Sequence, residues 1–308
     1  MPFFSVIIPL YNKEKFIENT LQSVLKQTFS DFEIVIINDG STDLSEQKVL
    51  QFQDSRIRYY TQKNQGASLA RNYGISLAKS KYITFIDADD FWYPEFLAFM
   101  YQTIHRFPEQ KVFAAAIEIE TPKNIFPAAY SIKKTGDFET VNYFEASRKE
   151  TVICTSCAVF HHLVFEEVGN FDIAIKSGQD TDLWIRIGLI YPVLFSWEIF
   201  ARYVYDENSL SKNISYTHTK INFSKFSALE KTNPALKKFL DLNRFSLAIK
   251  SKLIQDNTNF ILLYQSIDLN NLSLKKRILL LLPAFALGKL IVVKELLADK
   301  GLGNSVFK

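Results

Sequence analysis

The chain has 308 residues, of which 47% are hydrophobic and 22% charged, a composition that fits a globular protein with a sizeable core and excludes a disordered or low-complexity chain. The net charge of +3 is unevenly distributed, because residues 1–211 carry 20 Lys/Arg against 27 Asp/Glu and residues 212–308 carry 16 against 6. An acidic body with a basic C-terminal region excludes a uniformly basic nucleic-acid binder and indicates that the basic region meets something anionic.

The N-terminal residues "MPFFSVIIPL" begin a strand rather than a targeting segment. They have neither the basic leader nor the small-residue cleavage site of a secretory signal. The two cysteines, Cys154 and Cys157, are too few for a disulfide-stapled secreted domain. We therefore expect a cytoplasmic protein.

The first hundred residues alternate short apolar runs with amphipathic segments. The runs at 3–10, 32–38, 57–62 and 82–86 are suited to strands buried on both faces. Helical spacing of apolar residues follows the first run, with Asn12 as the expected N-cap, and a second helix is predicted from about 65 to 79. The pattern predicts an α/β fold with a mostly parallel central sheet flanked by helices.

Candidate ligand-binding residues stand where the chain leaves three of the predicted strands. They are Pro9, Tyr11 and Asn12 at the first strand, Asn38, Asp39 and Gly40 at the second, and Asp87, Asp89 and Asp90 at the fourth. In parallel sheets ligands bind beyond the carboxyl ends of the strands. The sequence therefore predicts a ligand site at that edge.

Three aspartates within four positions repel one another unless a cation is near, and carboxylate oxygens suit Mg²⁺ or Mn²⁺. On an extended segment Asp87 and Asp89 would point to the same side. A helix cap before residues 93–96 or a turn is the alternative, and it accounts for Asp89 or Asp90 but not for all three acids. No G-x-G-x-x-G and no P-loop motif occurs, so phosphates are expected to be held mainly through the metal.

The chain beyond residue 150 adds a predicted strand at 151–160, a helix near 179–191, a strand at 192–205 and a helical remainder. Thr155, Ser156 and His161 are candidates for lining an acceptor pocket by their position. Cys154, Cys157, His161 and His162 also invite a zinc hypothesis, which we disfavour because residues three apart on a strand face opposite ways.

Three segments together resemble a family 2 glycosyltransferase with the GT-A fold. They are "FSVIIPLYNKEKFIENTLQSVLKQTFSDFEIVIINDGSTD", "NQGASLARNYGISLAKSKYITFIDADD" and "GQDTDLWIRI". The resemblance covers about 3–212, so we predict a GT-A catalytic domain over 1–212 and a basic helical C-terminal extension over 213–308. It implies inverting transfer from a nucleoside-diphosphate sugar, expected to be a UDP-sugar, to a saccharide or lipid-linked saccharide hydroxyl in cell-surface polysaccharide assembly.

The resemblance also implies a role for each matching residue. Tyr11 would stack near the nucleobase, Asp39 would read the base edge, Arg71 would lie near the diphosphate, and Asp180 would be the catalytic base. Asp87 and Asp89 would form a D-x-D motif that contacts ribose and the Mn²⁺ or Mg²⁺ ion. The implied donor site as a whole comprises Pro9, Tyr11, Asn12, Asp39, Arg71, Asp87, Ala88 and Asp89.

The surroundings of Asp180 in the sequence support its assignment as the base. On a helix beginning near Gln179 it shares a face with Leu183 and Trp184, which should raise its pKa as a general base requires. Asp182 is predicted to form a solvated ion pair with Arg186. A glutamate often precedes the base in the family, where this chain has Gln179, and Tyr205 occupies the approximate place of a histidine.

The C-terminal region contains an 11-residue apolar run, Ile278 to Gly288, which is shorter than the about 20 residues of a spanning helix. Lys275, Lys276 and Arg277 precede it, and Lys289 and Lys294 follow it. These features favour either a helix on an anionic membrane surface or a helix packed on the catalytic domain or a partner chain. The sequence leaves both open.

Two alternative functions also stay open. A sugar-nucleotide nucleotidyltransferase would use a related sheet and the same metals, but it needs a Gly-rich basic loop that the residues after the first strand do not supply. A catalytically inactive scaffold of an assembly complex is disfavoured by the D-x-D motif together with Asp180.

Overall fold

The computed structural model describes residues 1–122, 124–204 and 221–290. Three features of the sequence lie outside these residues. They are the predicted domain boundary at 212/213, Tyr205, and the chain beyond residue 290 with Lys294.

Ten strands form one sheet within the described residues. They are β1 (Phe4–Leu10), β2 (Phe32–Asn38), β3 (Ile57–Thr61), β4 (Tyr82–Phe85), β5 (Phe91–Trp92), β6 (Val112–Glu120), β7 (Ile125–Pro127), β8 (Phe138–Val141), β9 (Ala158–His161) and β10 (Val193–Tyr203). Their order is β3-β2-β1-β4-β9-β6-β10-β5, with β7 on β6 and β8 on β10.

The predicted parallel pairing is confirmed for the first four strands. β1 pairs in parallel with β2 and with β4, and β2 pairs in parallel with β3. Every residue of β2 is buried, as expected for a strand covered on both faces. The carboxyl ends of β1, β2 and β4 therefore meet at one edge of the sheet.

Beyond β4 the pairing is mixed. β9 runs antiparallel to β4 and to β6, while β10 runs parallel to β6. The strand predicted over 151–160 is wrong in its first half, because a 3-10 turn occupies Thr155–Cys157 and β9 starts only at Ala158. The amide of Cys157 donates to the carbonyl of Cys154, which closes this turn.

Ten α-helices accompany the strands in the described residues, besides the helical stretch over 284–290. They are α1 (Ile17–Leu25), α2 (Ser45–Leu50), α3 (Ala67–Leu77), α4 (Phe96–Arg106), α5 (Tyr143–Ala146), α6 (Leu163–Val168), α7 (Gln179–Ile190), α8 (Pro234–Leu253), α9 (Asn257–Ser266) and α10 (Leu274–Leu281). The prediction that Asn12 caps α1 is wrong, because the helix begins at Ile17. Asn12 instead adopts a positive φ of 50° and accepts a hydrogen bond from the amide of Thr42.

The sheet separates two cores, since successive residues of a strand face opposite ways. Ile7 of β1 belongs to the core on one side, and Val6 and Ile8 belong to the core on the other side. Helix α3 packs closely on the first side, where a Cβ placed on Gly74 would lie 2.4 Å from Cγ2 of Ile7.

The C-terminal helices are anchored by α8, which contributes to two cores. Leu236 and Phe239 at its start join the main core beside Tyr143, whereas Phe245 and Ile249 belong to a third cluster with residues of α10. Asn233 caps the helix and Pro234 occupies its first position, an arrangement that fixes where α8 begins.

The apolar run 278–288 is not one helix. Helix α10 ends at Leu281, Leu282 is extended with a ψ of 141°, and a further helical stretch over 284–290 follows Pro283. Proline has no amide hydrogen and disfavours helical geometry in the residue before it, so the chain breaks there. Among the described residues, none of the helices combines the length and apolar character needed to cross a bilayer.

Candidate active site

Arg71 lies at the centre of a cluster of ionised groups at the carboxyl edge of the sheet. It projects from α3, and only 4% of its side chain is exposed. Its Nη2 atom lies 2.6 Å from Oδ1 of Asp87, and its Nη1 atom lies 3.1 Å from Oδ1 of Asp180. One guanidinium therefore joins Asp87, just beyond the end of β4, to Asp180 in the first turn of α7. These two acids are far apart in the sequence.

The charges around Arg71 keep it ionised. Burial alone would lower its pKa, but the carboxylates of Asp87 and Asp180 outweigh burial and raise the pKa above its usual value. The guanidinium carbon also lies 5.3 Å from the centre of the Phe171 ring, a cation–π contact.

Asp89 has a different cationic partner, Lys13, whose Nζ lies 2.6 Å from its Oδ2. Burial raises the pKa of Asp89, and nearby Asp87 raises it further, while Lys13 opposes both effects. Lys13 is not among the residues predicted for the site, although it stands two residues beyond Tyr11 at the predicted ligand edge. Its position after the first strand was the only available signal.

The acids after β4 lie in a turn rather than on an extended segment, which corrects the predicted geometry. The amide of Asp90 donates to the carbonyl of Asp87 over 2.9 Å. As a result, Asp87 faces Arg71 while Asp89 faces Lys13. The protein itself thus supplies one cation to each of these two acids, Arg71 to Asp87 and Lys13 to Asp89.

Asp90 is fully enclosed and plays a structural part. It accepts hydrogen bonds from the Ser156 hydroxyl and the Val204 amide, and burial beside Asp89 and Asp87 raises its pKa well above the usual range. Of the two structural alternatives, the helix cap is wrong, since α4 begins at Phe96 without a side-chain cap, whereas the turn is present.

Ser156 supports this turn from the 3-10 segment before β9. It is buried, its hydroxyl donates to Asp90, and the same hydroxyl accepts a hydrogen bond from the Asp87 amide. The prediction that Ser156 lines an acceptor pocket is therefore wrong for its side chain, and Thr155 beside it is buried as well.

His161 was also predicted near the acceptor, but it pairs with Tyr82 at the start of β4 and so lies at the opposite edge of the sheet. The same separation removes the zinc hypothesis, because Cys154 and Cys157 lie at the edge where β4 ends. Within the described ranges, no group of three or more His, Cys, Asp or Glu side chains has the arrangement of a metal site.

Asp180 lies in the first turn of α7, two residues after Gly178, whose φ of 86° ends the preceding loop. Burial raises the pKa of Asp180, Arg71 opposes this effect, and Asp87 adds to it. The predicted direction of the shift is thus confirmed. Because 35% of the side chain stays exposed, a ligand hydroxyl can reach it.

Two further residues of the first turn of α7, Gln179 and Asp182, are buried. Asp182 does pair with Arg186 at 3.0 Å, but it is fully buried and also contacts Lys225, so the predicted solvated pair is wrong. Gln179 is 9% exposed, and its Oε1 has no hydrogen-bond partner in the described part of the chain.

Asp39 follows β2 and fastens the loop before α3. Its Oδ1 accepts hydrogen bonds from the Gln62 side chain and the Gln65 amide, and its Oδ2 accepts one from the Gly66 amide. A carboxylate has about four acceptor positions, so roughly one is left for a ligand. The predicted reading of a base edge stays a prediction.

The remaining predicted donor residues lie at the same edge. Tyr11 follows β1 with 47% of its surface exposed, whereas Pro9 lies within β1 opposite Ile37. Asn12 joins this loop to Thr42, and the carbonyl of buried Ala88 accepts a hydrogen bond from the Thr20 hydroxyl. Tyr11 and Asn12 are thus the members of this group that are exposed at this edge, and Tyr11 offers an aromatic ring.

Asp87 and Asp89 are suited to a shared Mg²⁺ or Mn²⁺ ion. These ions take one or two carboxylates from a protein and complete their shell with water and substrate phosphates. In the described ion pairs the three carboxylates of Asp87, Asp89 and Asp180 share two cationic partners, Arg71 and Lys13, so acids outnumber cations there. The acids therefore fit the ion implied by the resemblance.

Comparison with known proteins supports the same interpretation. The profile described as glycosyl transferase family 2 matches residues 5–169, more than half of the chain. An uncharacterized glycosyltransferase of Rickettsia felis is 27% identical over 265 residues, which cover 84% of this chain and 44% of that protein. The uncharacterized glycosyltransferase EpsJ of Bacillus subtilis is 46% identical over 93 residues, which cover 30% of this chain and 27% of EpsJ. The chain thus spans less than two thirds of these relatives.

Solved structures of S. aureus TarS share the fold. One aligns with a TM-score of 0.64 at 20% identity and covers 87% of this chain and 50% of TarS. TarS 1–349 in complex with UDP-GlcNAc aligns with a TM-score of 0.60 at 18% identity and covers 98% and 84% of the two chains. Together with the family match, this likeness confirms the predicted α/β GT-A architecture with C-terminal helices.

Proposed function

We propose that this chain, which belongs to glycosyl transferase family 2, transfers a sugar with inversion from a UDP-sugar to an acceptor hydroxyl. The acceptor is a saccharide or lipid-linked saccharide of cell-surface polysaccharide assembly. The observation that carries the proposal is the double ion pair of Arg71 with Asp87 and Asp180. Through one guanidinium it joins Asp87, the proposed donor-side acid, to Asp180, the proposed base.

In the proposed reaction Asp180 acts as general base. Its carboxylate accepts the proton of the acceptor hydroxyl while that oxygen forms a bond to the anomeric carbon. The bond between the anomeric carbon and the diphosphate oxygen breaks on the opposite side, and UDP departs with the electron pair. The raised pKa of Asp180 suits this proton transfer, because a base with a pKa near the working pH is more effective.

The cationic side chains at the turn are the protein's own means of stabilising the diphosphate. Arg71 and Lys13 already lie against Asp87 and Asp89, and a diphosphate bound at this edge would bring its negative charge next to them. A Mg²⁺ or Mn²⁺ ion on Asp87 and Asp89 would supply further charge for the departing group.

The uridine is proposed to bind beyond β1 and β2. Tyr11 offers an exposed ring for stacking, and the remaining acceptor position of Asp39 is available to the base edge. The S. aureus relative was crystallised with UDP and with UDP-GlcNAc, which supports a uridine nucleotide as the donor.

The C-terminal helices are proposed to contact the membrane surface, where a lipid-linked acceptor would be met, at the inner face of the cell membrane. Leu281 is 74% exposed, Phe285 is 72% exposed, and Leu274 and Ile278 are exposed on the same stretch. No Asp or Glu occurs between Leu269 and Leu290, whereas four Lys/Arg do. Exposed apolar side chains among basic residues are the features that bind anionic membranes.

The donor site is tested by thermal shift with UDP, GDP, CDP and ADP, each with Mn²⁺ and with chelator. A ligand at about a hundred times its dissociation constant adds ~2.7 kcal/mol to the free energy of unfolding, which raises the melting temperature by several degrees. We expect a shift with UDP that chelator diminishes. No shift with any of the nucleotides would favour the scaffold alternative.

The base is tested by comparing Asp180→Asn with Asp137→Asn, an exposed acid away from the site. UDP release from UDP-sugars with a lipid-linked saccharide extract reports transfer. We expect Asp180→Asn to keep the UDP thermal shift and to lose activity by roughly 10²–10⁴-fold. Transfer at the rate of the Asp137→Asn control would rule out Asp180 as the base.

A further inference from the structure

A second pocket lies at the opposite edge of the sheet from Asp87 and Asp180. It has a volume of about 490 Å³ and lies between the end of α3, the start of β4 and helix α6. Its lining includes Lys79, Ser80 and Lys81, which precede β4, and His162, which precedes α6. We call it the β4-entry pocket.

Two polar atoms of this lining are buried without a partner. The hydroxyl of Ser80, a residue that is only 6% exposed, has no hydrogen bond in the described part of the chain, and neither has Nδ1 of His162. A buried polar group without a partner costs about 1–3 kcal/mol, so such groups are rare and call for an explanation. Two of them in one pocket are explained if a ligand completes their hydrogen bonds.

The charges of the pocket favour an anion. Lys79 and Lys81 are exposed, and neither forms an ion pair with the residues that the structure describes. Glu166 is the acid of the lining, and it lies 3.6 Å from Nε2 of His162. Cations therefore outnumber acids around the two unpartnered atoms.

The positive charge near the pocket also affects the neighbouring His161. Burial, followed by the charges of Lys111, His162 and Lys81, lowers the pKa of His161 to about 4. The lining of the pocket also includes the apolar side chains of Ile75, Ile83 and Phe165.

We propose that the β4-entry pocket binds a phosphate group carried on a small carbon skeleton. Lys79 and Lys81 neutralise the phosphate, the Ser80 hydroxyl and His162 donate hydrogen bonds to it, and the carbon part rests on Ile75, Ile83 and Phe165. Since β4 separates this pocket from the aspartate turn, its ligand is distinct from the sugar donor. A phospholipid headgroup or a soluble phosphate ester would present the same chemistry.

The test is an amide chemical-shift titration of the full chain with inorganic phosphate at constant ionic strength. We expect saturable shifts at Ser80, Lys81 and His162. The amides of Asp87–Asp90 report separately on the catalytic edge, so the two sites are distinguished even if the proposed transferase function fails. Shifts that rise linearly, or that are confined to Asp87–Asp90, would overturn the proposal.

Ser80→Ala is the decisive variant, because its hydroxyl has no partner whose loss would unfold the protein. We expect it to weaken phosphate binding roughly tenfold while the melting temperature stays equal or rises. The matched control is Ser76→Ala, whose exposed hydroxyl bonds only the Tyr73 carbonyl. Equal affinities of the two variants would contradict the assignment.

The source of the phosphate is distinguished by two further arms. Binding to phosphatidylglycerol vesicles that falls in Lys79→Ala/Lys81→Ala, but not in Lys26→Ala/Lys63→Ala, would identify a lipid headgroup. Titration with glycerol phosphate that is tighter than with inorganic phosphate, without that vesicle effect, would identify a soluble ester. If Lys79→Ala/Lys81→Ala weakens neither the binding to vesicles nor the binding of glycerol phosphate, the site is refuted.

Discussion

At the scale of single residues, the candidate site depends on buried charges that satisfy one another. Arg71 is enclosed and pairs with two carboxylates, and Lys13 pairs with a third. Removing one member of such a group leaves a buried charge without its partner, which costs several kcal/mol. We infer that neither cation can be replaced by a neutral residue without loosening the aspartate turn.

Asp90 allows a test of this electrostatic arrangement through stability. Its folded pKa is raised by burial and by Asp89 and Asp87, so the folded protein binds this proton more tightly than the unfolded chain. The free energy of unfolding therefore falls as the pH rises from 3.8, the ordinary pKa of an aspartate, to the raised pKa of Asp90 in the folded protein. Above that raised pKa the full loss of stability is present. An asparagine keeps the bond from Val204 and can donate to Ser156, but carries no charge.

We accordingly expect Asp90→Asn to raise the melting temperature by roughly 2–4 °C at pH 7.5, an advantage that shrinks as the pH approaches 4. Calorimetry over this pH range measures it, with the exposed Asp31→Asn as control. A lower melting temperature at pH 7.5 would mean that the charge of Asp90 is needed by its partners.

At the scale of elements, the packing of α3 on β1 positions the central cation. Arg71 and Gly74 are three residues apart on this helix, and Gly74 sits against Ile7 of β1. The close approach of helix and strand is possible because glycine has no Cβ. The position of Arg71 over the ends of the strands follows from that contact.

Two helical glycines make a matched pair for testing this contact. In Gly74→Ala the new Cβ would lie 2.4 Å from Cγ2 of Ile7, and we expect a loss of about 1–3 kcal/mol from overpacking. In Gly288→Ala nothing lies within 4 Å, so the better helix propensity of alanine should add about 0.5–1 kcal/mol. Urea unfolding measures both, and equal effects would contradict the account.

At the scale of the whole molecule, net positive charge and exposed apolar side chains are concentrated in the C-terminal region. Residues 212–308 carry 16 Lys/Arg against 6 Asp/Glu, and the exposed large apolar side chains include Ile261, Leu262, Leu281 and Phe285. The catalytic edge is acidic by comparison. This division supports the proposal that one part of the molecule binds the membrane while another transfers the sugar.

The membrane proposal is tested with Leu281→Ser/Phe285→Ser against the control Leu44→Ser/Leu50→Ser, whose residues are also exposed. Losing two apolar side chains from a lipid contact costs about 1.5–3 kcal/mol each, so we expect vesicle affinity to fall at least tenfold. Co-sedimentation with phosphatidylglycerol vesicles measures it. If both double variants bind alike, these helices serve another contact.

The sequence by itself determined the elements and the side of the sheet that carries the site. Strands β1, β2 and β4 and helix α7 lie where their patterns predicted, since burial on two faces and helical periodicity are local properties of the sequence. The convergence of Asp39, Asp87 and Asp89 on one edge follows from parallel pairing alone.

Only the tertiary structure decided which groups pair. The contact of Arg71 with Asp180 spans 109 positions, and the role of Lys13, the burial of Asp182 and the support of the aspartate turn by Ser156 are equally non-local. The first part of the predicted strand, at 151–155, does not form, because hydrogen bonds close a 3-10 turn there. The single helix expected over 278–288 is interrupted by Pro283. Periodicity reports which face of an element is buried, whereas the partner of a charge depends on elements brought together only by folding.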